Sequence, residues 1–152
     1  MISAAGGNKL PKICTELDEE AKCEVKSGGE RVTCRKDFKN PYHKEYWQTR
    51  ILILCSWSEW YINPEEILKN FPAINKLVIR NGNITEFLTD FPPSKDLETL
   101  ILTELAFEEL RGGLFTSLEN LKHLDLSHNR LKRIDPGILK NPSLVKVVLT
   151  GE

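Results

Sequence analysis

The sequence predicts an α/β repeat fold: a short horseshoe solenoid with a parallel sheet on its concave side, irregular or helical chain on its convex side, and a disulfide-stapled cap at its N-terminal end. Three observations predict it. The stretch LKHLDLSHNRLKRI, Leu121 to Ile134, alternates apolar and polar residues and then turns at an asparagine. Comparable stretches begin at Ile74, Leu97 and Leu144, so that with Leu121 the starts are spaced by 23, 24 and 23 residues, a period that marks stacked structural repeats. The four cysteines, Cys14, Cys23, Cys34 and Cys55, all fall in the first 55 residues, and an even number confined to one end fits a staple on a protein whose remainder is held by an apolar core.

Each position of Leu121–Ile134 has a physical reason. Leu124 and Leu126 are two apart, so on a short strand they point together into the core, while His123, Asp125 and Ser127 point the other way. Asn129 ends the strand, where its amide can bond the turning backbone, whose buried polar groups need partners. Leu131 and Ile134 return apolar side chains to the same core. One such unit cannot bury its apolar side alone, so copies must flank it.

The copies are divergent. The first has a strand at Arg50–Cys55 with Leu52 and Leu54 inward, and Trp57 in the asparagine position. Its segment Ile62-Asn63-Pro64 parallels Ile134-Asp135-Pro136, and Asn or Asp before Pro is a good start for a short outer helix. The second, from Ile74, carries Leu77, Ile79 and Ile84, has Gly82 for asparagine, and is too rich in proline after Phe91 for much helix. The third, from Leu97, carries Leu100, Leu102 and Phe107, with Leu105 for asparagine. The fifth begins at Leu144. The expected division is a disordered leader or linker over 1–11, a cysteine-rich cap over 12–48, and repeats over 49–152, four full and one partial.

Within the cap, Cys23-Glu-Val-Lys and Arg31-Val-Thr-Cys34 read as two short strands around a glycine turn. That hairpin brings Cys23 near Cys34, which would leave Cys14 for Cys55, although four cysteines allow three pairings. Closing such loops would stabilise by about 2–4 kcal/mol each. Neither a C-x-x-C pair nor a histidine pair at zinc spacing is present, so disulfides in an oxidising compartment are favoured over a zinc site.

The repeat phrase and its spacing resemble the leucine-rich repeat superfamily over about residues 49–150, and its extracellular "typical" subtype in particular. CEVKSGGERVTC, residues 23–34, is similar to the cap hairpin of platelet-glycoprotein-like and Toll-like receptor ectodomains. The run from Cys14 to Cys34 with Cys55 in the first strand looks most like the N-terminal part of an insect Toll-type receptor ectodomain, although it lacks a second cysteine two residues from Cys23. The resemblance implies an extracellular or cell-surface module that recognises a secreted protein ligand or a co-receptor. The competing reading is a cytoplasmic scaffold with free cysteines, toward which the absence of a secretory signal at MISAAGGNKLP points.

Other classes find little support. Net charge is −1 from 21 basic and 22 acidic residues, without a basic block, which argues against nucleic acid. The longest apolar run, Ile51 to Cys55, is far short of a membrane span. His123, Asp125 and Ser127 are the residue types of a hydrolase triad, but on a flat strand residues two apart lie roughly 7 Å apart, too far to seat the three within hydrogen-bonding reach. No phosphate-binding glycine motif or H-E-x-x-H string occurs, so the chain is read as no enzyme, with no metal and no cofactor. His123 and His128 are plain polar contacts on this reading.

The positive expectation is a binding surface. Stacked strands make a continuous concave sheet whose outward residues are free to vary, and the candidates for contact are Lys76, Arg80, Glu98, Thr99, Lys122, His123 and Asp125. Their mixed charge suits a protein partner better than a polyanion. Asn83-Ile84-Thr85 is the usable N-glycosylation acceptor, since Asn141 is followed by proline. Trp57-Ser-Glu-Trp60-Tyr61 is expected to pack under the cap. Leu144, Val147 and Leu149 would leave an uncapped C-terminal core edge, a place for self-association.

Overall fold

The computed structural model describes residues 23–27, 30–35, 47–55, 57 and 59–150. In chain order its elements are β1 (Cys23–Ser27), β2 (Glu30–Arg35), β3 (Thr49–Cys55), β4 (Tyr61–Ile62), α1 (Pro64–Asn70), β5 (Lys76–Arg80), β6 (Glu86–Phe87), β7 (Thr99–Thr103), β8 (Glu109–Leu110), β9 (His123–Asp125), β10 (Arg133–Ile134), a single 3₁₀ turn (Pro136–Leu139) and β11 (Lys146–Val148). One strand from each repeat joins the cap hairpin in a seven-stranded sheet of order β1-β2-β3-β5-β7-β9-β11. The β1–β2 pair is antiparallel and every later pair is parallel. Parallel neighbours require a long return connection, and here each return runs over the convex side. The fold is a leucine-rich repeat solenoid.

The expected linker at 1–11, the connector at 37–46 and Cys14 lie outside the described residues. The hairpin is where the sequence places it, and its register sets Cys23 opposite Cys34.

The core follows from the register. Leu52, Leu77, Leu100, Leu124 and Val147 are successive partners across the sheet, as are Leu54, Ile79 and Leu102. The leucines and Ile79 among them are essentially inaccessible. The repeat starts Ile74, Leu97 and Leu121 are buried beneath them, whereas Leu144 is half-buried. Residues one period apart therefore touch, and the core is a set of rows rather than a ball.

The convex side is irregular, as the prolines dictate. Asn63 caps α1 by accepting a hydrogen bond from the Glu66 amide at 3.4 Å, with Pro64 in the first turn, and proline fits there because that amide has no helical partner. Asp135 does the same for the 3₁₀ turn, accepting from the Gly137 amide at 2.8 Å; the outer helix of that repeat is thus reduced to one turn. Gly112 lies against it so closely that a Cβ there would sit 2.9 Å from Asp135 Cγ. Short parallel pairs, β4 with β6 and β8 with β10, close the convex wall. Behind it the rings of Phe87 and Phe107 stack at 4.6 Å, and Phe91 and Phe115 pack on them at tilted angles, an arrangement worth more than area burial alone.

The asparagine position has four different solutions. Asn129 is buried; its Nδ2 donates to the carbonyls of Leu102 at 2.8 Å and Leu126 at 2.9 Å, with Ser127 at 3.3 Å, and its Oδ1 accepts from the Leu105 amide at 3.2 Å. Leu105, the third-repeat counterpart, is thus served by its neighbour's asparagine while its side chain joins the core. In the second repeat the Gly82 amide donates to the Glu104 carbonyl at 3.1 Å. In the first, Trp57 Nε1 donates to the Tyr61 carbonyl at 2.8 Å. These last two are matched: a Cβ on Gly82 would lie 2.9 Å from the Trp57 carbonyl oxygen and 3.2 Å from its Cβ. Trp57 is thus tied within its own repeat at Tyr61 and abuts the next repeat at Gly82.

Two stability changes follow. Asn129→Ala removes the side-chain partner of four backbone groups and should cost about 2–3 kcal/mol, read as a lowered urea midpoint. Gly82→Asn installs the repeat's usual residue yet should destabilise by about 1–3 kcal/mol, because it collides with Trp57; an unchanged or raised midpoint would show that this fit is not a constraint.

Candidate interaction surface

The inner face of the sheet is built from three rows of side chains that alternate with the core. The first contains Ile51, Lys76, Thr99, His123 and Lys146; the second contains Ile53, Val78, Ile101, Asp125 and Val148. The third begins at the Arg80–Thr103 pair and continues beyond β9 through Ser127. Strands spaced about 4.8 Å apart place each side chain against its counterpart one repeat away.

The structure divides the expected contact residues by exposure. Lys122 and His123 are exposed, and Lys76, Arg80, Glu98 and Thr99 are half-buried. Asp125 is a correction: it lies on the inner face but is only 5% exposed. Ile53, Val78, Thr103 and Ser127 on the same face are buried as well. The middle row is therefore largely apolar, with Ile53, Val78 and Asp125 buried, Ile101 and Val148 half-buried, and one carboxylate in it.

Of the three residues His123, Asp125 and Ser127, the structure closes one gap: Asp125 Oδ1 accepts from Ser127 Oγ at 2.6 Å and from the Ser127 amide at 2.9 Å. β9 ends at Asp125, and the chain then turns back on the side chain, as Asp commonly directs two residues on. The hydroxyl donates straight to the carboxylate with no imidazole between them, and Ser127 Oγ also lies 3.5 Å from Thr103 Oγ1. This is a turn lock, not a nucleophile and base.

The charges are set by the period too. Lys122 Nζ donates to Glu98 Oε1 at 2.7 Å, and Arg80 Nε to Glu104 Oε2 at 2.6 Å, each pair 24 residues apart. The Lys122 hydrogen bond and charge, with a smaller contribution from His123, hold the Glu98 carboxyl below its ordinary value of 4.5. With those carboxylates engaged, the first row presents Lys76, His123 and Lys146 and contains no acid. The concave face is therefore locally basic in a chain whose net charge is −1.

At the C-terminal ends of the strands lies a second feature that the sequence reading missed. Asn81, Glu104 and His128 occupy the same repeat position, and all three have left-handed backbone, with φ of 61°, 55° and 58°. They turn the chain out of the sheet and leave an open groove of about 560 Å³, lined by Trp57, Asn81, Asn83, Glu104, His128 and Arg130 among others. The available signal was an asparagine, a glutamate and a histidine at a fixed offset before the asparagine position; asparagine and histidine are enriched in left-handed backbone, but glutamate gives no such sign. Asn83 and Thr85 of the acceptor motif are exposed on this edge, with Ile84 fully buried between them.

Among the described residues no group of histidines, cysteines and carboxylates could hold a metal ion, and no helix is long and apolar enough to cross a membrane.

Comparison with known proteins agrees with this architecture. Residues 95–151 match the leucine rich repeat family. The chain is 28% identical over 100 residues to "Protein singed wings 2" of Drosophila melanogaster, an alignment covering 66% of the chain and 20% of that protein. It is 29% identical over 144 residues to "Probable glycoprotein hormone G-protein coupled receptor" of Anthopleura elegantissima, covering 93% and 15%. It is 44% identical over 45 residues to "Trophoblast glycoprotein" of Macaca fascicularis, covering 30% and 11%. The chain thus spans a fifth or less of the length of these relatives. No solved structure matches it.

Because Lys122 is the largest influence on Glu98, Lys122→Ala should return the Glu98 carboxyl toward 4.5 in an NMR titration. The depressed value also has a sign: the pair's contribution is present above about pH 4.5 and lost as pH falls through the lower folded value. A Glu98 titration indifferent to the substitution would show the pair to be unformed in solution.

Proposed function

We propose that this chain is a protein-binding module, the N-terminal part of an extracellular or cell-surface leucine-rich repeat receptor or matrix protein, and that it takes a protein ligand or co-receptor on its concave face. The observation that carries the reading is the inner face itself: rows of side chains in strict lateral register, with Lys76, His123 and Lys146 along one rim. Such a rim steers an acidic partner surface and fixes its orientation. The matched relatives support the setting, since one is named as a receptor of the G-protein coupled class and another as a glycoprotein.

The cap adds a second support. Directly opposed residues of an antiparallel pair have Cα atoms about 4.5–5.5 Å apart, within the roughly 4.4–6.8 Å that a disulfide spans, and Cys23 opposes Cys34 in this way. The resemblance of this hairpin to Toll-type ectodomains belongs to the same proposal. So does the outer edge of β11, where Val145 is 76% exposed and Leu144, Val147 and Leu149 are half-buried; a further repeat or a second copy of the chain would stack there.

The alternative, a cytoplasmic scaffold with free cysteines, differs in one measurable respect. Chain produced through the secretory route should show no thiol that reacts before reduction; four reactive thiols would sink the extracellular reading. Against a panel of purified extracellular proteins, binding by the chain should weaken at least tenfold in the double variant Lys76→Glu, His123→Glu and survive Glu65→Lys on the convex side. Equal loss in both would place the contact elsewhere.

A further inference from the structure

We propose that an N-linked glycan on Asn83 folds back into the groove at the strand ends and rests its first sugars against Trp57, so that this edge is sugar-covered and the concave face is left for protein. The inference depends on the extracellular reading above and adds to it a specific occupant for a specific groove.

Three observations converge. Asn83, the acceptor of Asn83-Ile84-Thr85, is part of the groove's own wall; it and Thr85 are exposed, and Ile84 between them is anchored in the core at 0% exposure. The anchor matters, because it fixes the direction in which anything attached to Asn83 leaves the surface. The groove, at about 560 Å³, is in the range of roughly 300–1,000 Å³ that holds a small ligand. Its lining is chemically sorted: Trp57 presents an aromatic surface, half-buried and held by its bond to the Tyr61 carbonyl, while Asn81, Glu104, His128 and Arg130 present polar groups around it. Pyranose rings have an apolar C–H face and a rim of hydroxyls and amides, which is the complement of that arrangement.

The same geometry explains the company Asn83 keeps. Gly82, its neighbour, is where a side chain would strike Trp57, so the tryptophan can lie alongside the chain just before the acceptor. The left-handed turns at Asn81, Glu104 and His128 carry the strand ends away from the sheet and open the floor of the groove in successive repeats.

The attachment is a group transfer. Asn83 Nδ2 attacks the anomeric carbon of a lipid-pyrophosphate-linked oligosaccharide; the new C–N bond replaces the C–O bond to phosphate, the lipid pyrophosphate departs with the electron pair, and the transferase's base takes the amide proton. The co-reactant is thus a lipid-linked oligosaccharide of the secretory pathway.

The test uses the full chain secreted from eukaryotic cells with ¹³C-labelled N-acetyl groups. Intact mass before and after peptide-N-glycosidase should show one glycan, absent in Asn83→Gln. In the folded glycoprotein the acetyl methyl of the first sugar should be displaced upfield by the Trp57 ring and show cross-relaxation to it. Both effects should vanish in urea. A methyl resonance identical in folded and unfolded protein would overturn the seating, and a secreted, thiol-free chain with bare Asn83 would overturn the proposal while leaving the extracellular reading intact. Retention in the cytosol with reactive cysteines and bare Asn83 would overturn both.

Discussion

Everything in this molecule depends on one constraint: the neighbour of each residue is its own counterpart one period away. Parallel strands paired in register about 4.8 Å apart make Leu52, Leu77, Leu100 and Leu124 a single buried row. The constraint extends past the sheet. Ion pairs join Lys122 to Glu98, Arg80 to Glu104, Lys132 to Glu108 and Arg133 to Glu109, each across 24 residues. All are exposed to a degree that makes them individually weak, so they adjust alignment between repeats and leave cohesion to the apolar rows and the stacked phenylalanines.

A repeat protein can therefore vary a position only if the counterpart varies with it. The asparagine position shows how. Asn129 satisfies carbonyls in its own repeat and in the preceding one, so Leu105 can be apolar without stranding its amide. Residues 57 and 82 form the second pairing: the Trp57 carbonyl and Cβ come so close that position 82 has no room for a side chain. Both departures look like decay when each repeat is compared with the pattern alone. Taken in pairs they are compensations, and the cost of an unsatisfied buried amide, about 1–3 kcal/mol, is what enforces them.

This also decides what could be seen in advance. The repeat starts at Ile74, Leu97 and Leu121, the inward leucines and the Asn-Pro and Asp-Pro helix starts were legible, because they follow from alternation and capping within one repeat. The buried state of Asp125 was not, because alternation assigns a face and not an exposure; in register it stands between Ile101 and Val148. The Asp125–Ser127 bond was missed for a related reason: strand spacing was applied beyond Asp125, where the strand has already ended. Left-handed backbone at Glu104 runs against its own preference and is imposed by the turn that it shares with Asn81 and His128. The groove it opens was invisible for the same reason.

The consequence for recognition is a division of the surface by stiffness and charge. On the inner face the central row is buried at Ile53, Val78 and Asp125 and half-buried at Ile101 and Val148, and Asp125 is held by its serine, so a partner meets a firm floor. Contact must be made by the rims, where Lys76, Lys122, His123 and Lys146 extend from fixed strands. A rim of this kind loses little conformational freedom in its backbone on binding, and that preorganisation improves affinity more reliably than added area does. With Glu98 held by Lys122 and Glu104 by Arg80, the carboxylates on this side are already engaged, which leaves the first row's cations to set the sign of the field a partner encounters. Specificity at this face thus rests on which acids the partner places over Lys76, His123 and Lys146, and at what spacing, since the sheet fixes theirs.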